Sequence, residues 1–188
     1  MAEETEEAPL APRNFPKKEF YAEAEIVQIV ACVLLRLVHR HRSEFRLIDY
    51  EPQSNVFEIN EPSMPLHDYV HRIWHHTLSL LNGPEGGNVP SMVAQIAYLL
   101  DFVSYASGGF YRATLTSVYK LYALSTLVCC KYWFDVPYSN SYMSRVFGIK
   151  APVLQMLELE FLKMLCFSVP SSVDVKYLSD AFNVYFVE

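Results

Sequence analysis

Charged residues are scarce in this chain: Asp, Glu, Lys and Arg make up 19% of its 188 residues, whereas hydrophobic residues make up 52%. Disordered chains have the opposite balance, because they cannot bury enough apolar surface to offset the entropy of ordering. Positive charge is the scarcer sign. The net charge of −6 argues against binding to bare nucleic acid or to an anionic membrane, which favour basic surfaces. The composition predicts one globular domain with a substantial core.

Cysteine and glycine are also few, and their spacing argues against several kinds of site. Cys32, Cys129, Cys130 and Cys166 include no CxxC pair and lie in apolar stretches predicted to be helical. We therefore expect small buried hydrophobic residues in a reducing compartment, and neither a disulfide set nor a zinc site. No phosphate-binding glycine loop is predicted, because the GPEGG segment at 83–87 follows a predicted helix and not a strand.

The sequence also lacks the patterns of secretion and membrane insertion. Its first residues, MAEETEEAPLAP, are acidic and do not show the basic-then-apolar order of a signal peptide. The most apolar early run, from Ile26 to Val38, is too short for a membrane span and is interrupted by Gln28 and Arg36. We therefore expect an intracellular protein of the cytoplasm or nucleus.

The chain is rich in aromatic side chains, with 13 Tyr and 12 Phe. Tyrosine suits a half-buried surface, because its ring can pack while its hydroxyl stays hydrated. This enrichment indicates a protein partner.

Prolines and helical spacing divide the chain into segments. Residues 1–17 are acidic and rich in proline, which predicts a disordered tail. A helix is predicted over 18–42, and the linker that follows over 43–64 is punctuated by prolines. The main domain spans 65–169, and 170–188 is expected to hold a short last helix. No alternating apolar run is long enough to suggest a sheet, so the predicted fold class is all-α.

The main domain is predicted to contain five helices separated by Gly, Pro and Asn signals. The third is almost wholly apolar from Leu121 onwards, and a helix that is apolar on all sides must be surrounded by others. The five predicted helices span residues 66–81, 91–106, 116–134, 139–147 and 152–166. Several all-α folds share this architecture, so it does not identify a function by itself.

Two stretches carry a more specific pattern: CCKYWFDVPYSNSYMSRVFGI, residues 129–149, and VLQMLELEFLKMLCFSV, residues 153–169. They combine a Lys-aromatic pair, an acidic residue, a Tyr/Asn-rich segment, a Gly-hydrophobic pair and a Leu-Glu helix followed by Phe. In this order the chain resembles the cyclin box, in particular that of the single-box P/U-type cyclins of the phosphate-regulatory branch. Segments 65–73 and 91–105 resemble the first two box helices. In all, the resemblance covers about residues 57–169.

The resemblance implies a five-helix cyclin box in a regulatory subunit that binds and activates a cyclin-dependent kinase. It implies no catalytic residue, metal or cofactor. In the family, a lysine near the end of the third helix caps the kinase's regulatory αC helix, and a glutamate on the fifth helix faces it. These positions match Lys131 and Glu158. Further positions expected to line the same face are Tyr132, Phe161, Leu162 and Phe167.

Elementary physics leaves other roles open for the two charged residues. Lys131 is the only charge between Leu121 and Trp133, and from its position alone it could simply neutralise the C-terminal dipole of its own helix. Glu158 and Glu160 lie in a mostly apolar helix, where both could face solvent. Because they are two residues apart they face different directions, and we predict that Glu158 meets the kinase.

Asp135, four residues after Lys131, is a further candidate. Many kinases need an activation-loop phosphate to gather an arginine cluster, and an acidic group from the cyclin could fill part of that role. A solvated loop residue, or a cap for the fourth helix, explains Asp135 equally well.

Two other functions compete with this interpretation. The enzyme alternative is an all-α, metal-dependent HD-type phosphohydrolase, because His67-Asp68 is a literal HD pair. Its remaining ligands would come from His39 or His41, His71, His75 and Asp101. The second alternative is a cyclin-like box acting as a scaffold or transcription-factor module, which predicts a second box or a basic nucleic-acid face. The basic residues, however, are scattered along the sequence.

Overall fold

The computed structural model describes residues 22–46, 55–59, 62–79 and 89–169, and these form α-helices without any strand. The all-α prediction is confirmed. The six helices are α1 (Glu23–Glu44), α2 (Leu66–Ile73), α3 (Val89–Ala106), α4 (Ser117–Trp133), α5 (Asn140–Phe147) and α6 (Ala151–Met164). The last four begin and end within two residues of their predicted limits. The predicted tail and the predicted final helix lie outside the described residues.

Helix α4 lies at the centre of the described fold. It packs against α1, α2, α3 and α6, and every residue from Leu121 to Cys130 is buried. The predicted buried third helix is therefore confirmed, and its lack of a polar face follows from having neighbours on all sides. No helix in the described ranges combines the length and apolarity that a membrane crossing requires.

The segment after α2 differs from the prediction of one continuous helix over 66–81. The α-helix ends at Ile73, and residues Trp74–Leu78 form a π-helical turn. Within this wider turn Trp74 and Leu78 are both buried, and the hydroxyl of Thr77 donates to the carbonyl of Ile73 at 2.5 Å. The sequence carries no signal for this change, because the same residues also fit an α-helical pattern.

Helix α1 is joined to the rest of the fold by a buried polar cluster near its end. The Nδ1 atom of His41 accepts a hydrogen bond from the backbone N–H of Ala113 at 3.0 Å. The proton of this imidazole is therefore on Nε2, which donates to Asp101 Oδ1 at 2.7 Å. Arg40 pairs with the same carboxylate. The cluster links α1, α3 and the loop before α4.

The cysteines follow their prediction only in part. Cys129 and Cys130 are fully buried, and burial raises the pKa of the Cys130 thiol to about 12. Such thiols are unreactive, because the nucleophilic thiolate does not form. Cys32 is partly exposed, and the prediction of burial is wrong for Cys166. That residue lies in the turn after α6, where the chain has already left the helix.

The connection between α5 and α6 is a tight turn with a left-handed glycine. Gly148 has φ +68°, and the following N–H, from Ile149, donates to the Ser144 carbonyl at 3.0 Å. Glycine adopts this conformation without the steric cost that a Cβ adds. The turn sets the relative direction of α5 and α6, which both contribute to the site described below.

Replacing Gly148 by alanine should lower the free energy of unfolding by about 1 kcal/mol, measured by urea denaturation. A Cβ at this position would meet no atom within 4 Å, so the loss comes from the backbone conformation alone. Gly148→Asn should lose less, because asparagine tolerates the left-handed region. Equal stability of the alanine variant and the natural protein would contradict this account.

Candidate functional site

The last turn of α4 and the middle of α6 bring two charged side chains together. The Nζ atom of Lys131 donates to Oε1 of Glu158 at 2.5 Å. The lysine side chain is 34% exposed and the glutamate side chain 12%. The structure thus places both residues predicted from the sequence at one point, and their role toward a partner stays a prediction.

The second carboxylate oxygen of Glu158 is held by Asn140, which sequence analysis missed. The Nδ2 atom of Asn140 donates to Glu158 Oε2 at 2.8 Å. Asn140 is the first residue of α5, and the preceding Ser139 caps that helix by accepting from the N–H of Tyr142. The start of α5 therefore fixes Asn140, and two donors orient the carboxylate. The only sequence signal was the Tyr/Asn-rich segment of the motif.

Glu160 faces a different direction from Glu158, as their spacing predicted. Its Oε1 accepts from the hydroxyl of Tyr111 at 3.2 Å, and its Oε2 lies 3.6 Å from Nζ of Lys163. Tyr111 belongs to the loop before α4, whereas Lys131 and Asn140 belong to the opposite end of α4 and to α5. Glu158 is thus the glutamate associated with the predicted lysine.

Large apolar side chains are exposed on the same two helices and in the turn that follows α6. Single exposed apolar residues are common on any protein, so these exposures support a partner only together with the charged pair on the same helices. The exposed set on α4, α6 and this turn is Tyr132, Trp133, Val153, Met156, Leu159 and Phe167. The Trp133 indole also donates to the Gln95 side chain, which orients that ring.

Comparison with known proteins identifies the family. The family model of the cyclins matches residues 2–169, which is most of the chain. The chain belongs to the cyclin family.

This cyclin is similar to U-type cyclins of Arabidopsis thaliana, which confirms the P/U-type resemblance. It is 29% identical to Cyclin-U2-1 over 152 residues, covering 80% of this chain and 64% of that protein. It is 32% identical to Cyclin-U2-2 over 125 residues, covering 65% and 50%, and 26% identical to Cyclin-U4-3 over 140 residues, covering 74% and 59%. The chain spans about half to two thirds of the length of these curated relatives.

The other residues predicted to line this face differ in their exposure to solvent. Tyr132 and Phe167 are exposed, at 42% and 65%, and Leu162 is partly buried against the core. The prediction that Phe161 lines the face is wrong, because its ring is fully buried and packs edge-on against Phe57. Leu154, Leu157 and Phe161 form the buried stripe of α6. A residue on that stripe packs into the core beneath the exposed face and is not part of the face itself.

Asp135 is exposed in the turn between α4 and α5. The alternative that it caps the fourth box helix is wrong, because Ser139 occupies the N-cap of α5 and accepts from the N–H of Tyr142. A contact between Asp135 and a kinase arginine cluster stays a prediction.

The residues of the phosphohydrolase alternative are spread over separate contacts. His67 and Asp68 are both more than half exposed and approach each other at 3.4 Å. His71 and His75 instead approach the carboxylate of Glu23, while His41 and Asp101 belong to the buried cluster at the end of α1. In the described ranges, no group of three or more His, Cys, Asp or Glu side chains is placed to hold a metal ion. The geometry therefore gives this alternative no support.

Proposed function

We propose that this cyclin binds a cyclin-dependent kinase and activates it by stabilising the inward position of the kinase's αC helix. The observation that carries the proposal is the Lys131–Glu158 pair, two oriented charges on helices that also expose large apolar side chains. The Glu158 carboxylate is largely buried and needs a counter-charge, whereas the Lys131 side chain stays partly exposed. An ammonium group has three donors, so Lys131 can hold Glu158 and still donate to an acceptor on a partner.

The mechanism is a shift of a conformational equilibrium in the kinase. Without a partner the kinase αC helix stays outward, and the Lys–Glu ion pair that positions the ATP phosphates is not made. A surface that binds the inward conformation more tightly moves the equilibrium by its difference in affinity. This cyclin would supply the surface and no catalytic group.

The way in which the described fold holds the two charges supports this role. Lys131 extends from a helix that is enclosed by four others, and Glu158 is held by Lys131 and Asn140. A surface that is already ordered loses little conformational entropy on binding. More of the contact energy then remains to favour one kinase conformation.

Co-purification with a panel of cyclin-dependent kinases, followed by a kinase assay on a protein substrate, tests the proposal. The full chain should retain at least one kinase and increase its activity. A kinase that is retained but not activated would favour the scaffold alternative. Retention of no kinase would overturn the proposal.

Phe167→Gly should separate binding from stability. Phe167 has φ +55°, and its N–H donates to the carbonyl of Leu162 at 2.9 Å. Glycine removes the cost of a left-handed side-chain-bearing residue, so the free energy of unfolding should stay within about 1 kcal/mol. Loss of the exposed ring should weaken kinase binding roughly tenfold, measured by titration calorimetry. Phe167→Ala is the control, since it loses the ring but keeps the strain. Unchanged affinity in both variants would remove Phe167 from the interface.

A further inference from the structure

A concave surface lies away from the Lys131–Glu158 pair, between the end of α1 and the loop before α4. It is a cavity of about 700 Å³. Its lining includes His39, Arg42, Arg46 and Arg112 and, in the described ranges, neither Asp nor Glu. Leu115, which is 66% exposed, adds an apolar wall. We call these five residues the basic pocket.

Two parts of the chain that are distant in sequence form the basic pocket. His39, Arg42 and Arg46 follow each other at spacings of three and four residues, which places them on one side of the last turns of α1 and the turn after it. Arg112 comes from the loop before α4. The local positive charge therefore contrasts with the net charge of −6 of the whole chain.

Hydrogen bonds hold the two walls together before any ligand arrives. The backbone N–H of Ala113 donates to His41 Nδ1 at 3.0 Å, and Nη1 of Arg112 donates to the carbonyl of Phe45 at 2.5 Å. At the next residue, the N–H of Thr114 donates to the Ser117 hydroxyl at 2.9 Å. The pocket is thus organised in advance, which reduces the entropy that a ligand must overcome.

Three described carboxylates that lie in or contact α1 or the loop before α4 contact other groups. Asp101 pairs with Arg40 and His41, and Glu44 lies 3.8 Å from the Arg40 guanidinium. Glu58 accepts hydrogen bonds from two threonine hydroxyls. None of the three lines the pocket, and among the described residues no carboxylate pairs with Arg42 or Arg46.

A purely structural role accounts for only part of this cluster. Cations at a helix C-terminus stabilise the helix by offsetting its dipole. Arg112 already donates to the carbonyl of Phe45 at the end of α1. Arg42 and Arg46 add two more guanidinium groups around the same cavity, together with His39.

We propose that the basic pocket binds the phosphate group of a phosphoserine or phosphothreonine in a partner protein. A guanidinium presents planar, paired donors that match phosphate oxygens, and arginine clusters are the common receptor for phosphorylated side chains. Such a phosphate carries a charge of about −1.5 to −2 at pH 7. The cavity is much larger than a phosphate group, and the Leu115 wall suits an apolar side chain next to the phosphorylated residue. A small ligand made only of phosphates would not use that wall.

The test uses the full chain and two peptide libraries, one with a fixed phosphothreonine among random residues and one with threonine at the same place. The phosphorylated library should be retained at least tenfold better. Arg42→Glu and Arg46→Glu should each lower this retention roughly tenfold to a hundredfold. Arg145→Glu is the matched control, because it makes the same charge change at an exposed position on α5. Arg42→Lys should lose part of the binding, since it keeps the charge but not the paired donors.

Three results would overturn the proposal: equal retention of the two libraries, an equal loss in the Arg145→Glu control, or tighter binding of inositol hexakisphosphate or inorganic phosphate than of any selected phosphopeptide. The last result would assign the pocket to a free phosphate compound. The inference does not depend on the proposed kinase partner. Arg42→Glu should leave kinase co-purification unchanged, so the failure of either proposal can be seen separately.

Discussion

Exchanging the two charges of the site, Lys131→Glu with Glu158→Lys, should strongly weaken kinase binding and leave the fold intact. The exchange keeps an ion pair between α4 and α6, so the free energy of unfolding should fall by less than the roughly 3–5 kcal/mol expected when one partner of a buried pair is removed. Asn140 can accommodate it, because its amide has both a donor and an acceptor end. The kinase would meet each charge at the wrong position. Desolvated charges left without partners cost about 2–5 kcal/mol, which corresponds to roughly thirtyfold to several thousandfold in affinity.

The neighbouring pair on α6 offers a control for this exchange. Glu160→Lys with Lys163→Glu also reverses an ion pair on the same helix, but Glu160 contacts Tyr111 and faces a different direction. Kinase affinity, measured by titration calorimetry, should stay within about threefold in this variant, as expected for charges outside the interface.

The alternative role of Lys131 predicts a different result for kinase affinity. If the lysine only offsets the dipole of α4, the exchange should lower the free energy of unfolding by about 0.3–1 kcal/mol and leave kinase affinity unchanged. That result would remove the pair from the proposed interface.

Leu124→Ala should lower the free energy of unfolding by about 2–5 kcal/mol. Leu124 lies in the middle of α4 and is fully buried. Removing three carbons there loses the transfer free energy of the side chain and leaves a cavity that four surrounding helices cannot readily fill. Total stabilities of small domains are about 5–15 kcal/mol, so the variant should fold but unfold at a much lower urea concentration.

Two matched substitutions show whether burial is the cause. Leu115→Ala makes the same chemical change at a residue that is 66% exposed, and it should cost less than about 0.5 kcal/mol. Leu124→Met keeps the volume and should cost less than about 1.5 kcal/mol. A loss in Leu124→Ala no larger than that in Leu115→Ala would contradict the central position of α4.

Hydrophobic pattern and helix-ending residues were sufficient to predict the last four helices of the box. The apolar run from Leu121 onwards predicted the enclosed helix, and Gly148 marked the end of α5 at the predicted residue. Such local signals are reliable because each depends on a few neighbouring residues. The π-helical turn at Trp74–Leu78 was missed, because its residues satisfy an α-helical pattern equally well.

The motif predicted Lys131 and Glu158, and their meeting depended on how α4, α5 and α6 pack. The helical pattern did not assign Phe161 to the core. Helix α6 contains more apolar residues than its buried side can hold, so the pattern alone does not show which of them are buried. Asn140 could not be found from spacing, since its contact with Glu158 depends on the angle between two helices.

The arginines of the basic pocket show the same contrast between what the sequence predicts and what the packing decides. In the sequence they are scattered, and nothing links Arg112 to Arg42 and Arg46. Only the packing of the loop before α4 onto the end of α1 gathers their charges around one cavity. The sequence by itself determined the helices, the buried centre and the family pattern, because these depend on local spacing. Tertiary structure decided which distant side chains meet, because contacts of that kind exist only after the helices have packed.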